Sequence, residues 1–174
     1  MSTPISRPGR VFDPARGLLL NDHFQMSYAT NDIGKARAVF SSRYGIEAFR
    51  VIEGKMPAGG FIHAELAWVG SIMYEIVTAS GPGSEIYMSR LPGDTFSICH
   101  HHLGFLVYDQ PGWDALQHLI EDRGFSLLSQ NNNEGFMRHC FVDAPDLGHY
   151  LEFIFPEPAG LAFLEDVPGN RVQP

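Results

Sequence analysis

Two stretches of the chain repeat one pattern of apolar and polar positions. Residues 22–30 predict a strand closed by Asn31-Asp32, and IGKARAVFSSRYG then sets Ile33, Ala36, Val39 and Phe40 on one helical face. Asn31 or Asp32 is a suitable N-cap for that helix, and Gly45 a suitable stop. IEAFRVI, a Gly/Pro break at GKMPAGG, then FIHAELAWVG and SIMYEIV predict three more strands, the last two joined by a hairpin at Gly70-Ser71. From residue 100 the order recurs. HHHLGFLVYD predicts a strand stopped by Asp109-Gln110-Pro111-Gly112, and GWDALQHLIEDRG a helix with Trp113, Leu116, Leu119 and Ile120 on one side and Gly124 at its end. FSLLSQ predicts a short strand, NNNEG a turn, GFMRHCFVDA a third strand and DLGHYLEFIFP a fourth. Each half is strand–helix–strand–strand–strand, or βαβββ.

The two halves also share a register. Gln25 stands seven positions before Asp32, and His102 seven before Asp109; Glu75 follows Gln25 by 50 positions, and Glu152 follows His102 by 50. Both glutamates lie inside apolar runs, SIMYEIV and HYLEFIF. Matched intervals of this kind indicate an internal duplication. The chain divides into an N-terminal arm (1–21), a first module (22–78), a connector (79–99), a second module (100–156) and a C-terminal tail (157–174). The arm is expected to be extended, ordered against the body or a second subunit. The tail, with Pro156, Pro158 and Pro168 about it, is expected not to continue the sheet. The fold class is α+β, with duplicated βαβββ modules forming a cupped mixed sheet around a central cleft.

Composition narrows the partners. At 174 residues and 44% hydrophobic, the chain can bury one sizeable core or two packed modules. A net charge of −8 argues against nucleic acid, and no apolar run approaches the roughly 18 residues of a membrane span. No hydrophobic stretch follows the N-terminal arginines as it would in a secretory signal. Cys99 and Cys140, without a CxxC, are expected as buried free thiols in a cytoplasmic protein.

HHLGF and GHYLEF, in register with the first-half positions, resemble the vicinal oxygen chelate superfamily, in its glyoxalase-like branch. That superfamily includes glyoxalase I, methylmalonyl-CoA epimerase, extradiol dioxygenases and bleomycin-resistance proteins. The resemblance covers about residues 22–156. It implies a divalent metal ion held by Gln25 and Glu75 from the first module and His102 and Glu152 from the second. The departures matter. Extradiol dioxygenases carry histidine where this chain has Gln25, and bleomycin-resistance proteins lack the metal set. Glyoxalase I fits at all four positions, but nothing here matches its glutathione-binding loops. Methylmalonyl-CoA epimerase normally has histidine first and glutamine at the position of Glu75, a poorer fit.

The donor chemistry is coherent with this. An imidazole, an amide oxygen and two carboxylates suit Zn, Ni, Co, Mn or Fe as divalent ions. Such an ion would polarise a carbonyl, and a glutamate beside it can take the neighbouring proton. Glu152 is the expected principal base and Glu75 its counterpart. The expected activity is that of a metal-dependent isomerase, epimerase or lyase on a small oxygenated metabolite. The alternatives are a ring-cleaving dioxygenase and a non-catalytic small-molecule binder. His23 and His100, two residues before the ligand positions, are expected on the same strand faces. His63 and Arg138, on third strands, are further candidates for the pocket lining beside the simpler reading as ordinary sheet positions. His101, His139 and His149 are expected as surface or core histidines. Open strand edges and the proline-bearing ends predict a homodimer.

Overall fold

The computed structural model describes Gly9 and residues 12–93 and 95–170. In chain order its elements are β1 (Asp22–Thr30), α1 (Ile33–Tyr44), β2 (Arg50–Lys55), β3 (Phe61–Val69), β4 (Ile72–Ser80), α2 (Glu85–Met88), β5 (Ile98–Leu106), α3 (Gln110–Asp122), β6 (Leu127–Asn133), β7 (Met137–Ala144), β8 (His149–Pro156), α4 (Pro158–Glu165) and β9 (Gly169–Asn170). Eight strands form one curled mixed sheet in the order β2-β3-β4-β1-β5-β8-β7-β6. The two βαβββ units join within the chain, by antiparallel pairing of β1 with β5. Inside each unit the first strand runs parallel to the last, β1 with β4 and β5 with β8.

Local chemistry sets the helix limits. The Asp32 carboxylate accepts from the Lys35 N–H at 3.0 Å, and Gly45 ends α1 at φ 71°, a left-handed conformation that costs glycine nothing. In α3 the Asp109 carboxylate accepts from the Gly112 N–H at 2.7 Å. Pro111, tolerated in a first turn, then starts the helix at Gln110, two residues earlier than the sequence pattern predicts.

Both long helices cover one face of the sheet. Trp113, Leu116, Leu119 and Ile120 of α3 pack on Phe105, Val142, Leu151 and Phe153. Ala36 and Phe40 of α1 pack on Ala67 and Ile76. Beneath α1, buried Glu65 is paired with Arg37 and with His63. The opposite face is capped at one end by α2, whose Tyr87 packs with Ala64 and Val77, and at the other by α4, whose Leu164 packs with Phe24, Met73 and Ile154.

Two expectations are corrected. Asn131 to Asn133 do not turn; they pair with His139, Arg138 and Met137 as the end of β6. The tail does reach the sheet, because Pro168 lacks an N–H but its carbonyl accepts from the Trp68 N–H at 2.9 Å. Gly169–Asn170 then line the end of β3 that β2 leaves uncovered. The arm expectation lies partly outside the described residues. Within them, residues 12–20 fold back through the Asp13 N–H to Leu20 carbonyl bond, and Leu18 is buried against the α3 cluster. No described helix is long and apolar enough to cross a membrane.

Candidate metal and proton-transfer site

The four central strands each bring one candidate residue to the face away from α1 and α3. Cross-strand register fixes the layout. Glu75, Ser27 and His102 lie in one row across β4, β1 and β5. Gln25, Gly104 and Glu152 lie in the next row, across β1, β5 and β8. Ser27 and Gly104 form a floor of small residues over which the larger side chains lean. A Cβ on Gly104 would stand 2.8 Å from the Gln25 Cβ and closer still to its Oε1, so the amide lies directly across this glycine.

His102 Nε2 stands 3.1 Å from Glu152 Oε2 and 3.4 Å from Glu75 Oε2. Gln25 Oε1, Glu75 Oε2 and His102 Nε2 are buried without a hydrogen-bond partner. Buried orphan acceptors are costly and rare. Unpartnered oxygens on Gln25 and Glu75, in adjacent rows beside the His102 ring and the Glu152 carboxylate, are what a cation would satisfy. Among the described residues no three His, Cys, Asp or Glu side chains already stand in ready-made cation-holding geometry. The donor set, with an amide oxygen as its fourth member, fits a divalent ion in type.

The electrostatics separate the two carboxylates. Burial is the strongest influence on Glu75 and, helped by the charge of Glu152, holds it above the usual carboxylate range against His102. Burial also pushes Glu152 upward, but His102 and His139 outweigh it and hold Glu152 below that range. Burial alone would lower His102, yet the Glu152 and Glu75 charges leave it raised.

Two histidines expected as plain surface or core residues touch this cluster. His139 Nδ1 lies 3.1 Å from Glu152 Oε1. His101 Nδ1 lies 2.8 Å from His102 Nδ1. Sequence spacing hid His101 because β5 bulges. Ser27 is opposite His102 while the next residue, Tyr28, is opposite His100, so His101 is the extra residue. A second bulge, at Phe24 in β1, lies between the His23–Phe105 and Gln25–Gly104 pairs.

The bulges turn His23 and His100 off the face of the cluster, although His23 does line a cavity with Asp22 and Phe24. His100 turns to the α1 face, beside Tyr28 and His149. His23 packs on Phe105, and its Nε2 is 3.0 Å from the Gln25 carbonyl oxygen. His63, paired with Glu53 and Glu65, lies on the α1 face. Arg138 lies on the α3 face, over Phe155 with its guanidinium 4.2 Å from the ring centroid, and donates to Gln110. None of the four faces the cluster. Two cavities of about 280 and 370 Å³ open at the α4 end, sharing Phe24, Trp68, Leu106 and Tyr108.

No family model and no curated protein matches the chain. Solved structures do. A methylmalonyl-CoA epimerase from Mycobacterium tuberculosis is 16% identical, with 81% of this chain and 91% of that one covered at a TM-score of 0.57. A methylmalonyl-CoA epimerase in complex with methylmalonyl-CoA and NH4+ is 18% identical, with 80% and 96% covered at 0.56. A Streptomyces coelicolor methylmalonyl-CoA epimerase variant in complex with 2-nitronate-propionyl-CoA is 17% identical, with 78% and 97% covered at 0.55. The chain has the vicinal oxygen chelate fold. In this fold each module's first and last strands lie side by side, which here sets Glu75 beside Ser27 and Glu152 beside Gly104, each one row from Gln25 and His102 respectively.

Proposed function

We propose that this protein is a divalent-metal-dependent epimerase or isomerase that moves a proton at a carbon next to a carbonyl. The observation that carries the proposal is the set of buried, unpartnered acceptors on Gln25, Glu75 and His102 beside the Glu152 carboxylate. Gln25, Glu75, His102 and Glu152 would hold the ion, which when bound supplies Lewis-acid polarisation of the substrate carbonyl. Glu152, kept ionised by His102 and His139, takes the proton. Glu75, its counterpart from the first module, would serve the opposite side of the planar intermediate. His139 holds Glu152 in place through Oε1 and leaves Oε2 toward His102. The substrate class is a small metabolite with an acidic C–H beside a carbonyl. Acyl-CoA thioesters are the first to try, because structural neighbours were solved with such compounds bound. Nothing among those neighbours favours a lyase.

The test is metal binding read against pH. Raised His102 and Glu75 are stabilised in their protonated forms when no ion is bound. The contribution of His102 to stability is complete below the ordinary histidine pKa and is lost as pH rises through its raised folded value. Glu75 acts in the same direction, since its neutral form is the favoured one. An ion must displace these protons. The rise in melting temperature on adding Zn, Mn or Co is therefore expected to grow from about pH 6 to about pH 8. A cation effect that is absent at every pH would defeat the proposal.

A homodimer in the cytoplasm belongs to the same proposal. β2 and β6 end the sheet as edge strands and expose Val51, Leu127 and Leu128. Free Cys99 and Cys140 suit a reducing compartment. Light scattering at micromolar concentration should return twice the chain mass, and a monomer would refute the assembly.

A further inference from the structure

The β5 bulge has a chemical outcome at His102. In a regular strand His101 would point at the helices; as the extra residue it faces the same side as His102, and their rings meet edge to face with centroids 5.1 Å apart. Its Nε2 reaches the Ile86 carbonyl of α2 at 2.8 Å. We propose that His101 is a positioning residue that locks His102 in the tautomer with a bare Nε2, by relaying a hydrogen bond from the Ile86 carbonyl.

The direction of each bond follows from donor counting. A carbonyl oxygen only accepts, so His101 Nε2 carries a hydrogen. Two imidazole nitrogens 2.8 Å apart hold a single hydrogen between them. If His101 Nδ1 supplied it, His101 would carry two N–H groups and a positive charge. Its ring is 1% exposed and enclosed by Tyr87, Phe141 and Tyr150, stacked on Tyr87 at 5.2 Å. That apolar enclosure disfavours a cation. His101 is therefore neutral with a bare Nδ1, and His102 Nδ1 donates to it. A neutral His102 then has no hydrogen left for Nε2, the atom that faces Glu75 and Glu152. The connector between the modules thus sets the electronic state of the central imidazole through one backbone carbonyl, as groups hydrogen-bonded to the far nitrogen of metal-bound histidines do.

The tautomer follows from the geometry; its consequence for cation affinity rests on the proposed function. Two-bond proton–nitrogen correlation spectra of histidine-labelled, metal-free protein read the tautomer directly. At a pH high enough for the spectrum to show a neutral ring, His102 should be in the Nδ1–H form. Its signals are identified by their loss in His102→Asn. In His101→Phe, which keeps a ring against Tyr87 but has no nitrogen, His102 should shift to the Nε2–H form or a mixture. His101→Asn returns an acceptor near the Nδ1 position and should restore the wild-type form. An Nε2–H tautomer in the wild type, or an unchanged spectrum in folded His101→Phe, overturns the proposal. The wild-type spectrum decides alone if the phenyl ring does not pack. By calorimetry, Zn or Mn affinity should fall about 10–100-fold in His101→Phe and recover in His101→Asn. Protein with the expected tautomers that binds no divalent ion would sink the metal reading and leave the His101 lock standing.

Discussion

Glu152→Gln is expected to lower turnover about 10²–10⁴-fold, the usual loss when a positioned general base is removed. The substitution keeps volume and one oxygen, which turned toward Gln25, Glu75 and His102 can still serve an ion, so metal content should change less than rate. The structure gives a reason to choose Glu152 over Glu75 as the base. His139 and His102 flank Glu152 and lower its pKa, whereas burial leaves Glu75 raised. A carboxylate held ionised by its neighbours is the one suited to take a proton. The two variants should then fail differently. With a substrate stereoisomer that presents its C–H to Glu152, Glu152→Gln should abolish exchange of that hydrogen with deuterated solvent. Glu75→Gln should keep the exchange and lose the inversion. Nuclear magnetic resonance of the substrate carbon reads exchange, and chiral chromatography reads inversion. Near-normal turnover in Glu152→Gln would remove this assignment.

The central part of the candidate site was legible because both halves repeat one interval and each module pairs its first strand with its last. That pairing brings Glu75 beside Ser27 of β1 and Glu152 beside Gly104 of β5 on one face. What spacing cannot show is a bulge, since one extra residue inverts the face of everything beyond it. His23 and His100 were placed by counting two from Gln25 and His102, and each lies beyond a bulge. The same bulge hid His101. His63 was obscured differently. Glu65 is buried under α1 with Arg37, so the inward and outward positions of FIHAELAWV do not sort by polarity. The tail misled because a proline is read as a missing donor, and here its carbonyl makes the bond. His139 carried no local signal; only the pairing of Phe141 with Glu152 across β7 and β8 brings its face to the site.

Gly104 is the residue whose smallest change should damage the site most. Strand interiors ordinarily gain from a side chain, because glycine there costs conformational entropy and packs nothing. At Gly104 the sign should invert. A methyl would enter space held by the Gln25 side chain, 2.8 Å from its Cβ. Gln25 cannot retreat easily, since it is buried, Phe24 on one side is locked into the α4 cluster, and Ser27 beyond it lies in the floor. Gly104→Ala should therefore cost about 1–3 kcal/mol by overpacking. It should also displace the amide oxygen from the other three donors, so that divalent-ion affinity falls together with stability. Gly54→Ala is the matched control in β2, where an added Cβ meets nothing within 4 Å. It should leave both quantities almost unchanged or raise stability slightly. Denaturant melts of the metal-free proteins separate the two effects from ion binding, which calorimetry then measures on the folded variants. If Gly104→Ala bound Zn or Mn as tightly as the parent, Gln25 would lose its place among the ligands, and the cluster would reduce to Glu75, His102 and Glu152.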